Sequence, residues 1–378
     1  MSAHLISRDM VDHRVMRIRN LTMTALEIPF RQTFTHAAAA RTTTEAVLVR
    51  TESARGLVGM GEGCPRSYVT GETIASALEF FSRYRAEWLR LTTVHDLQSW
   101  VAGHADAIDR NAAAWCAVEL ACLDLLGKEL EQPIEVLVGG DVLSGAFQYS
   151  AVLGAEKVSS FEKQLHKYLS VGMTDFKIKV SGDFPADRER LAAFAAAAKP
   201  EDRLRLDANN HWQRVDDAVE YFQRLNCQFQ AVEEPLQVGD YEGCRVLSKQ
   251  CGLPIILDES FLRTDQFAFI QDDSSRWIVN IRISKMGGLM RALAVAESAA
   301  ELGVSLIVGA QVGETSILTR AALAVVSRYR TIVMAQEGAF GTHLLSYDLC
   351  DPPLMFGRAG FLTDSSFYGR PGLGLSFT

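Results

Sequence analysis

Hydrophobic and polar positions change period along the chain. Residues 16–28 alternate weakly, residues 46–50 form a β-branched, apolar run, and turn glycines punctuate 56–61, which together predict a small antiparallel sheet. From Glu72 the period becomes 3.6, with Ile74, Ala77, Leu78, Phe81 and Tyr84 on one helical face. Two more helices are predicted near 94–108 and 112–130, the second so rich in Ala and Leu that it reads as buried on most sides. Gln132-Pro133 ends it and Gly139-Gly140 marks a turn. After Gly145 short apolar runs recur at 147–152, 176–180, 204–207, 231–233, 255–258, 277–283, 305–308 and 332–335, with helical stretches between most of them. That alternation predicts βα units around a parallel sheet. Eight strands over about 190 residues suit a barrel. An open doubly wound sheet is the competing topology, but it usually carries a Gly-rich turn after its first strand, and Val152-Leu153-Gly154-Ala155 is not GxGxxG.

The 378 residues leave room for a barrel and one further domain. The expected division is an α+β domain over 1–140, with its first fifteen or so residues loose, a barrel over 141–345, and a Pro- and Gly-rich tail over 346–378 that returns to the first domain. Hydrophobic residues make up 48% and charged residues 22%, ordinary globular usage that excludes disordered and fibrous readings. The net charge of −8 argues against a nucleic-acid or anionic-membrane partner, which would need a clustered basic surface. No apolar run reaches the ~18–20 residues of a membrane span, and the charged start is not expected to be a secretory signal. Seven cysteines, an odd number without a CxxC pair, read as reduced thiols in a cytoplasmic protein. A homo-oligomer acting on a small molecule is expected.

Three acidic residues end three consecutive predicted strands: Asp207 in LRLDANN, Glu233 in AVEEP and Asp258 in IILDES, each about one βα unit apart. In a barrel, successive strand ends lie side by side on the C-terminal rim, where active sites are built. Three carboxylates there repel one another unless something positive joins them. Mg²⁺ takes oxygen ligands and leaves positions for water or substrate, and no His or Cys joins the set to favour zinc. The competing reading, that each acid only caps the following helix, is weak for three acids in register. Lys177 and Lys179, in Phe176-Lys177-Ile178-Lys179-Val180, precede them. Residues i and i+2 of a strand share a face, so both ammoniums point to the mouth together. Like-charge repulsion is expected to lower their pKa values and fit one as a base.

Taken together, these residues resemble the enolase superfamily, and within it the muconate lactonizing enzyme subgroup (mandelate racemase/muconate lactonizing enzyme-like). The resemblance covers most of the chain: the first domain, the stretch AWCAVELACLDLLGKELEQPIEVLVGG, Lys-x-Lys, the acidic series, Gly287-Gly288, and the closing Gly372-Leu373-Gly374. It implies an α/β fold, a modified (β/α)7β TIM barrel with an N-terminal α+β capping domain. It implies Mg²⁺ on Asp207, Glu233 and Asp258, with Lys179 as acid/base and Lys177 as its neighbour. The chemistry implied is abstraction of the proton α to a carboxylate. Such a proton is very weakly acidic, so the resulting enediolate needs a metal and cationic neighbours. Capping-domain loops near 30–36 and 64–70 are expected to close over the barrel and select the substrate.

The subgroup usually carries a second lysine on the sixth strand. Counting back from Gly287-Gly288, that position is Arg282, in VNIRISKMGG. Arginine stays charged, so it is a poor proton acceptor but a good clamp for negative charge. The leading expectation is therefore a one-base cycloisomerase or a syn-eliminating lyase working through Lys179. The alternatives are a racemase or epimerase of an N-modified amino acid, with Lys285 or a water as second base, and a metal-binding barrel without turnover. Lys285, three residues on, is expected on the opposite side in a loop. Glu314, in GAQVGETS, is a candidate substrate-binding residue, with a helix-start carboxylate as the equal alternative. Dipeptide-epimerising relatives carry Asp-x-Asp after the eighth strand; here Asp348 is followed two residues on by Cys350, which disfavours a dipeptide. His36, His211 and His343 read as surface or core histidines.

Overall fold

The computed structural model describes residues 16–36 and 39–378. The first domain holds β1 (Ile18–Leu26), β4 (Ala46–Ser53) and β5 (Val58–Gly63) in an antiparallel sheet of order β1-β4-β5. β2 (Pro29–His36) and β3 (Ala39–Thr43) pair separately. The stretch expected as a loop at 30–36 is thus one arm of a hairpin. Its four Thr and Phe residues suit an extended backbone, and that signal outweighs the missing apolar alternation.

Helix Ala112–Leu130 is buried along almost its whole length against β5. The reason lies in the alternation Gly59, Gly61, Gly63. A Cβ on these residues would fall 2.2 Å from Ala121 O, 2.1 Å from Ala117 O and 1.9 Å from Ala113 O. Only glycine lets the strand lie this close to the helix backbone.

Eight parallel strands follow: β6 (Ala151–Leu153), β7 (Asp175–Lys179), β8 (Arg203–Asp207), β9 (Val232–Glu233), β10 (Ile255–Leu257), β11 (Trp277–Ile281), β12 (Ser305–Val308) and β13 (Val333–Gln336). They run in sequence order across one sheet, and a bond from Ser150 N to Gln336 O at 2.7 Å joins the two ends. Helices Val158–Ser170, Phe184–Ala197, Val215–Arg224, Tyr241–Cys251, Leu289–Leu302 and Ser316–Arg328 cross between neighbouring strands, and 3₁₀ turns at 264–276 replace the crossover between β10 and β11. This is the modified (β/α)7β barrel with its capping domain. The sixth strand stops at Ile281, two residues short of expectation, because Arg282 opens a short helical turn, Ile283–Met286.

The barrel interior has two halves. Ala231, Ile256, Ile278, Ile307 and Ala335 form an apolar cluster on one side. On the other, Asp175, Lys177 and Arg205 lie along β7 and β8, with Lys177 and Arg205 as register partners. Arg205 bonds Asp175 Oδ1 and Glu337 Oε1, both at 2.8 Å. Buried charges persist only when paired in this way.

Capping-domain acids fasten the two domains. Glu119 accepts Met290 N at 3.0 Å at the start of helix Leu289–Leu302, and Glu62 accepts Thr315 N at 3.0 Å and Thr315 Oγ1 at 2.6 Å ahead of helix Ser316–Arg328. Each meets orphan N–H groups at a helix start. The final segment lies against the capping domain, with Leu373 N donating to Asp124 Oδ1 at 2.8 Å. Among the described residues no helix is long and apolar enough to cross a membrane, and all seven cysteines are free thiols.

Candidate active site

The C-terminal ends of β7 to β11 gather the predicted residues. Asp207 and Glu233 are register partners on β8 and β9, and Asp258 lies just past β10. All three are buried. Glu234, in a left-handed backbone at φ 40°, ties the rim together. Its carboxylate accepts Asp258 N at 2.6 Å, Ser260 N at 2.8 Å and Asn210 Nδ2 at 3.0 Å. A non-glycine residue holds such a conformation at a cost of ~1–3 kcal/mol, repaid here by those bonds.

Lys177 and Lys179 both point inward, as their spacing predicts, but they differ in setting. Lys177 is 5% exposed and bonds Glu233 Oε2 at 3.1 Å and Glu337 Oε2 at 2.5 Å, with Asp207 Oδ2 at 3.7 Å. Burial alone would lower its pKa, yet Glu233, Glu337 and Asp207 raise it. The expectation that the two lysines lower one another therefore fails for Lys177. Three carboxylates outweigh burial and the Arg282 guanidinium, so this residue is a fixed cation. Lys179 is 12% exposed, donates to Asn209 Oδ1 at 2.9 Å and lies 3.3 Å from Asp207 Oδ2. It is the amine that reaches open space.

Across the ring, four strands on, stands Arg282, also 12% exposed. Its guanidinium pairs with Asp258 and donates to Gln311 Oε1 at 3.1 Å. Lys285 is not turned away in a loop. It sits in the helical turn, fully buried, and its amine folds back onto Asp258 O at 2.6 Å, Asp258 Oδ1 at 2.9 Å and Asn280 O at 2.8 Å. Strand parity stops applying at Arg282, where the backbone turns helical. Burial and neighbouring Arg282 push Lys285 down to about 7, but its bonds leave the amine no route to the mouth.

Glu314 follows β12, keeps an exposed edge and accepts Gln311 N at 2.6 Å through Oε1. Burial pushes its carboxyl up to about 8, with Glu62 adding to the rise and Arg282 and Arg66 opposing it. Asp348 accepts Ser316 N at 3.2 Å and Cys350 N at 3.1 Å, so it serves a helix start. His211 is exposed and packs edge-on to Trp212, His343 bonds Phe356 O at 2.8 Å, and the side chain of His36 lies outside the described residues. The 64–70 loop is anchored over the mouth: Arg66 donates to Val312 O at 2.7 Å and Cys64 N to Ser284 Oγ at 2.8 Å.

Sequence reasoning missed Arg205, Asn209, Asn280 and Glu337. Arg205 stands two before Asp207 and Glu337 two after Ala335, so the alternation that paired the lysines would have pointed both inward. Asn280 donates to Glu233 Oε1 at 3.1 Å by the same parity from Arg282.

The donor set Asp207, Glu233, Asp258 is buried, anionic and made of oxygen alone, the chemistry that suits Mg²⁺. Among the described residues, no three His, Cys, Asp or Glu side chains are drawn together around a common point. The three carboxylates are turned onto Lys177, Lys179, Arg282 and Lys285. They fit the ion by donor type and by strand position.

Comparison with known proteins matches residues 160–378 to the enolase C-terminal domain-like family and residues 18–139 to the mandelate racemase / muconate lactonizing enzyme N-terminal domain. A hydrophobic dipeptide epimerase of Enterococcus faecalis is 28% identical over 333 residues, covering 86% of this chain and 92% of that protein. An N-succinyl-L-Arg/Lys racemase of Bacillus cereus is 24% identical over 313 residues, covering 81% and 83%. The crystal structure of the dipeptide epimerase from Enterococcus faecalis, complexed with Mg and the dipeptide L-Leu-L-Tyr, superposes with a TM-score of 0.81 at 26% identity, covering 96% of this chain and all of the other.

Proposed function

Because the chain belongs to the enolase C-terminal domain-like family and carries the mandelate racemase / muconate lactonizing enzyme N-terminal domain, we propose that it is a Mg²⁺-dependent isomerase that moves the proton α to the carboxylate of a small organic acid. One observation carries the reading: a single lysine amine, Lys179, reaches the mouth beside the acidic residues, while its neighbour Lys177 is locked in carboxylates. Mg²⁺ on Asp207, Glu233 and Asp258 would supply positive charge against the substrate carboxylate. Lys179 takes the α-proton. Asn209 orients its amine through the 2.9 Å bond. Lys177 stays protonated and stabilises the charge that develops. Arg282 adds a second fixed cation from the far side. The capping loop at 64–70 excludes water.

The relatives named above act on dipeptides and on N-succinyl amino acids, which supports racemisation or epimerisation of an N-modified amino acid over the cycloisomerisation or elimination expected first. A second reading retains those one-base reactions, favoured by Arg282 at the position opposite Lys179. The test is α-proton exchange in D₂O, followed by NMR with single enantiomers of N-acyl amino acids and dipeptides. Mg²⁺-dependent exchange is expected, and a protein that exchanges none of them with Mg²⁺ present would contradict the proposal.

A further inference from the structure

Racemisation needs a proton donor on the face opposite the base, and Arg282 cannot lose one at neutral pH. Lys285 is sequestered on Asp258. We propose that Glu314 is the second acid/base, delivering a proton to the face of the α-carbon opposite Lys179. This rests on the α-proton-transfer reading above.

Position comes first. The eight strands close in sequence order, so the second strand, which carries Lys179, faces the sixth, which leads into Arg282. Glu314 follows the neighbouring seventh strand, and Gln311 joins the two residues: its side chain accepts from Arg282 at 3.1 Å and its backbone N–H donates to Glu314 at 2.6 Å. Arg282 therefore sits beside Glu314, ready to stabilise the carboxylate once the proton has left.

Asp207, Glu233, Asp258 and Glu337 each pair with a cation. Among the described residues Glu314 forms no ion pair. Glu259 also has no bonded cation, but it is buried, whereas Glu314 keeps an exposed edge. The titratable groups around Glu314 are Glu62, Cys64 and Arg66 of the capping domain, Cys116 of helix Ala112–Leu130, the buried Tyr149 just before the first barrel strand, and Arg282. Burial, with Arg282 and Arg66 near but neither in ion-pair contact, keeps the carboxyl protonatable near neutral pH.

The proton balance closes. Neutral Lys179 accepts the α-proton and becomes an ammonium, and the C–H electron pair delocalises into the substrate carboxylate. The Glu314 carboxyl gives its proton to the other face of the same carbon and becomes a carboxylate. The opposite enantiomer runs the two transfers in reverse and restores both groups.

The test uses the full-length protein with Mg²⁺ in D₂O and single enantiomers of N-acyl amino acids. The unmutated protein should exchange the α-proton of both enantiomers. Glu314→Gln keeps an acceptor for Gln311 N–H. It should still exchange the enantiomer whose proton faces Lys179 and lose exchange of the other by ~10²-fold or more. Lys179→Ala should give the mirror pattern. If Glu314→Gln does not fold, Glu314→Asp, which keeps the acid one carbon shorter, should slow the same enantiomer selectively. Equal rates for both enantiomers in either Glu314 variant, as in the unmutated protein, overturn the inference. So does an unmutated protein that exchanges one enantiomer only, which leaves the α-proton reading standing. Exchange of neither overturns both.

Discussion

Two pairs of cations face each other across the barrel mouth: Lys177 with Lys179 on the second strand, and Arg282 with Lys285 at the end of the sixth. Both pairs place one member deep and one at the opening. Lys177 and Lys285 are 5% and 0% exposed and spend their amines on buried carboxylates and carbonyls, while Lys179 and Arg282 are each 12% exposed. The outer residues differ in one chemical respect. An amine can exist without its proton at a useful concentration once perturbed, and a guanidinium cannot. On the proposed reading, the second-strand side exchanges a proton and the sixth-strand side holds charge. The two sides also differ in bracing. Glu119 and Glu62 of the capping domain hold the helix starts that follow the sixth and seventh strands, so the charge-holding side is fixed to the cap.

The largest effect tests what both pairs share. Glu233→Gln removes charge from the centre of the acidic set, and activity should fall by ~10³-fold or more, since several kcal/mol of charge stabilisation depend on the site. Circular dichroism should show the fold retained. Activity of the variant within tenfold of the parent would separate the acidic set from the chemistry.

The deep members come next. Lys177→Met leaves Glu233 without its cation and Glu337 with Arg205 alone, and should cost ~3–5 kcal/mol of stability. Ile278→Val, in the apolar half of the same interior, should cost only ~0.5–1.5 kcal/mol. Chemical denaturation of the two variants compares the halves directly, and equal losses would show that the ionic half is not held by its pairing.

Arg282→Ala should lower kcat by ~10²-fold, the usual cost of one stabilising donor. Arg282→Lys should recover part of that loss, because charge returns without the planar fork. Steady-state kinetics checks both, and an Arg282→Ala variant with full kcat would remove the sixth-strand side from the mechanism.

The smallest effect concerns the bracing. Burial raises the Glu119 carboxyl to about 7. A carboxyl with a raised folded-state pKa stabilises most below its unfolded value and loses that contribution as pH climbs through the folded one. Relative to Glu119→Gln, the parent should lose ~2–3 kcal/mol between about pH 4.5 and pH 7. Unfolding curves at pH 5 and pH 8 measure this, and a difference that does not change with pH would place the Glu119 proton elsewhere.

Much of this arrangement was legible before any coordinates. The strand–helix alternation predicted the barrel, and the spacing of Asp207, Glu233 and Asp258 placed them on one rim. Parity put Lys177 and Lys179 on one face. The failures have local causes. Lys285 was misplaced because the chain turns helical at Arg282, where a period of two no longer holds. Lys177 was given the wrong titration because its partners Glu233 and Glu337 come from strands 56 and 160 residues away, a distance that no short motif spans. The β2–β3 hairpin was missed because residues 30–36 carry strand-favouring Phe and Thr without an alternating hydropathy.

The central claim is that Lys179 moves an α-proton at this mouth. The most direct measurement is NMR loss of the α-proton signal from N-acyl amino acids in D₂O with Mg²⁺, comparing the unmutated protein with Lys179→Ala. The account predicts exchange by the parent that stops on chelation, and a fall of ~10²–10⁴-fold in Lys179→Ala for the enantiomer facing the lysine. Exchange of both enantiomers at the parent's rate in Lys179→Ala would contradict it.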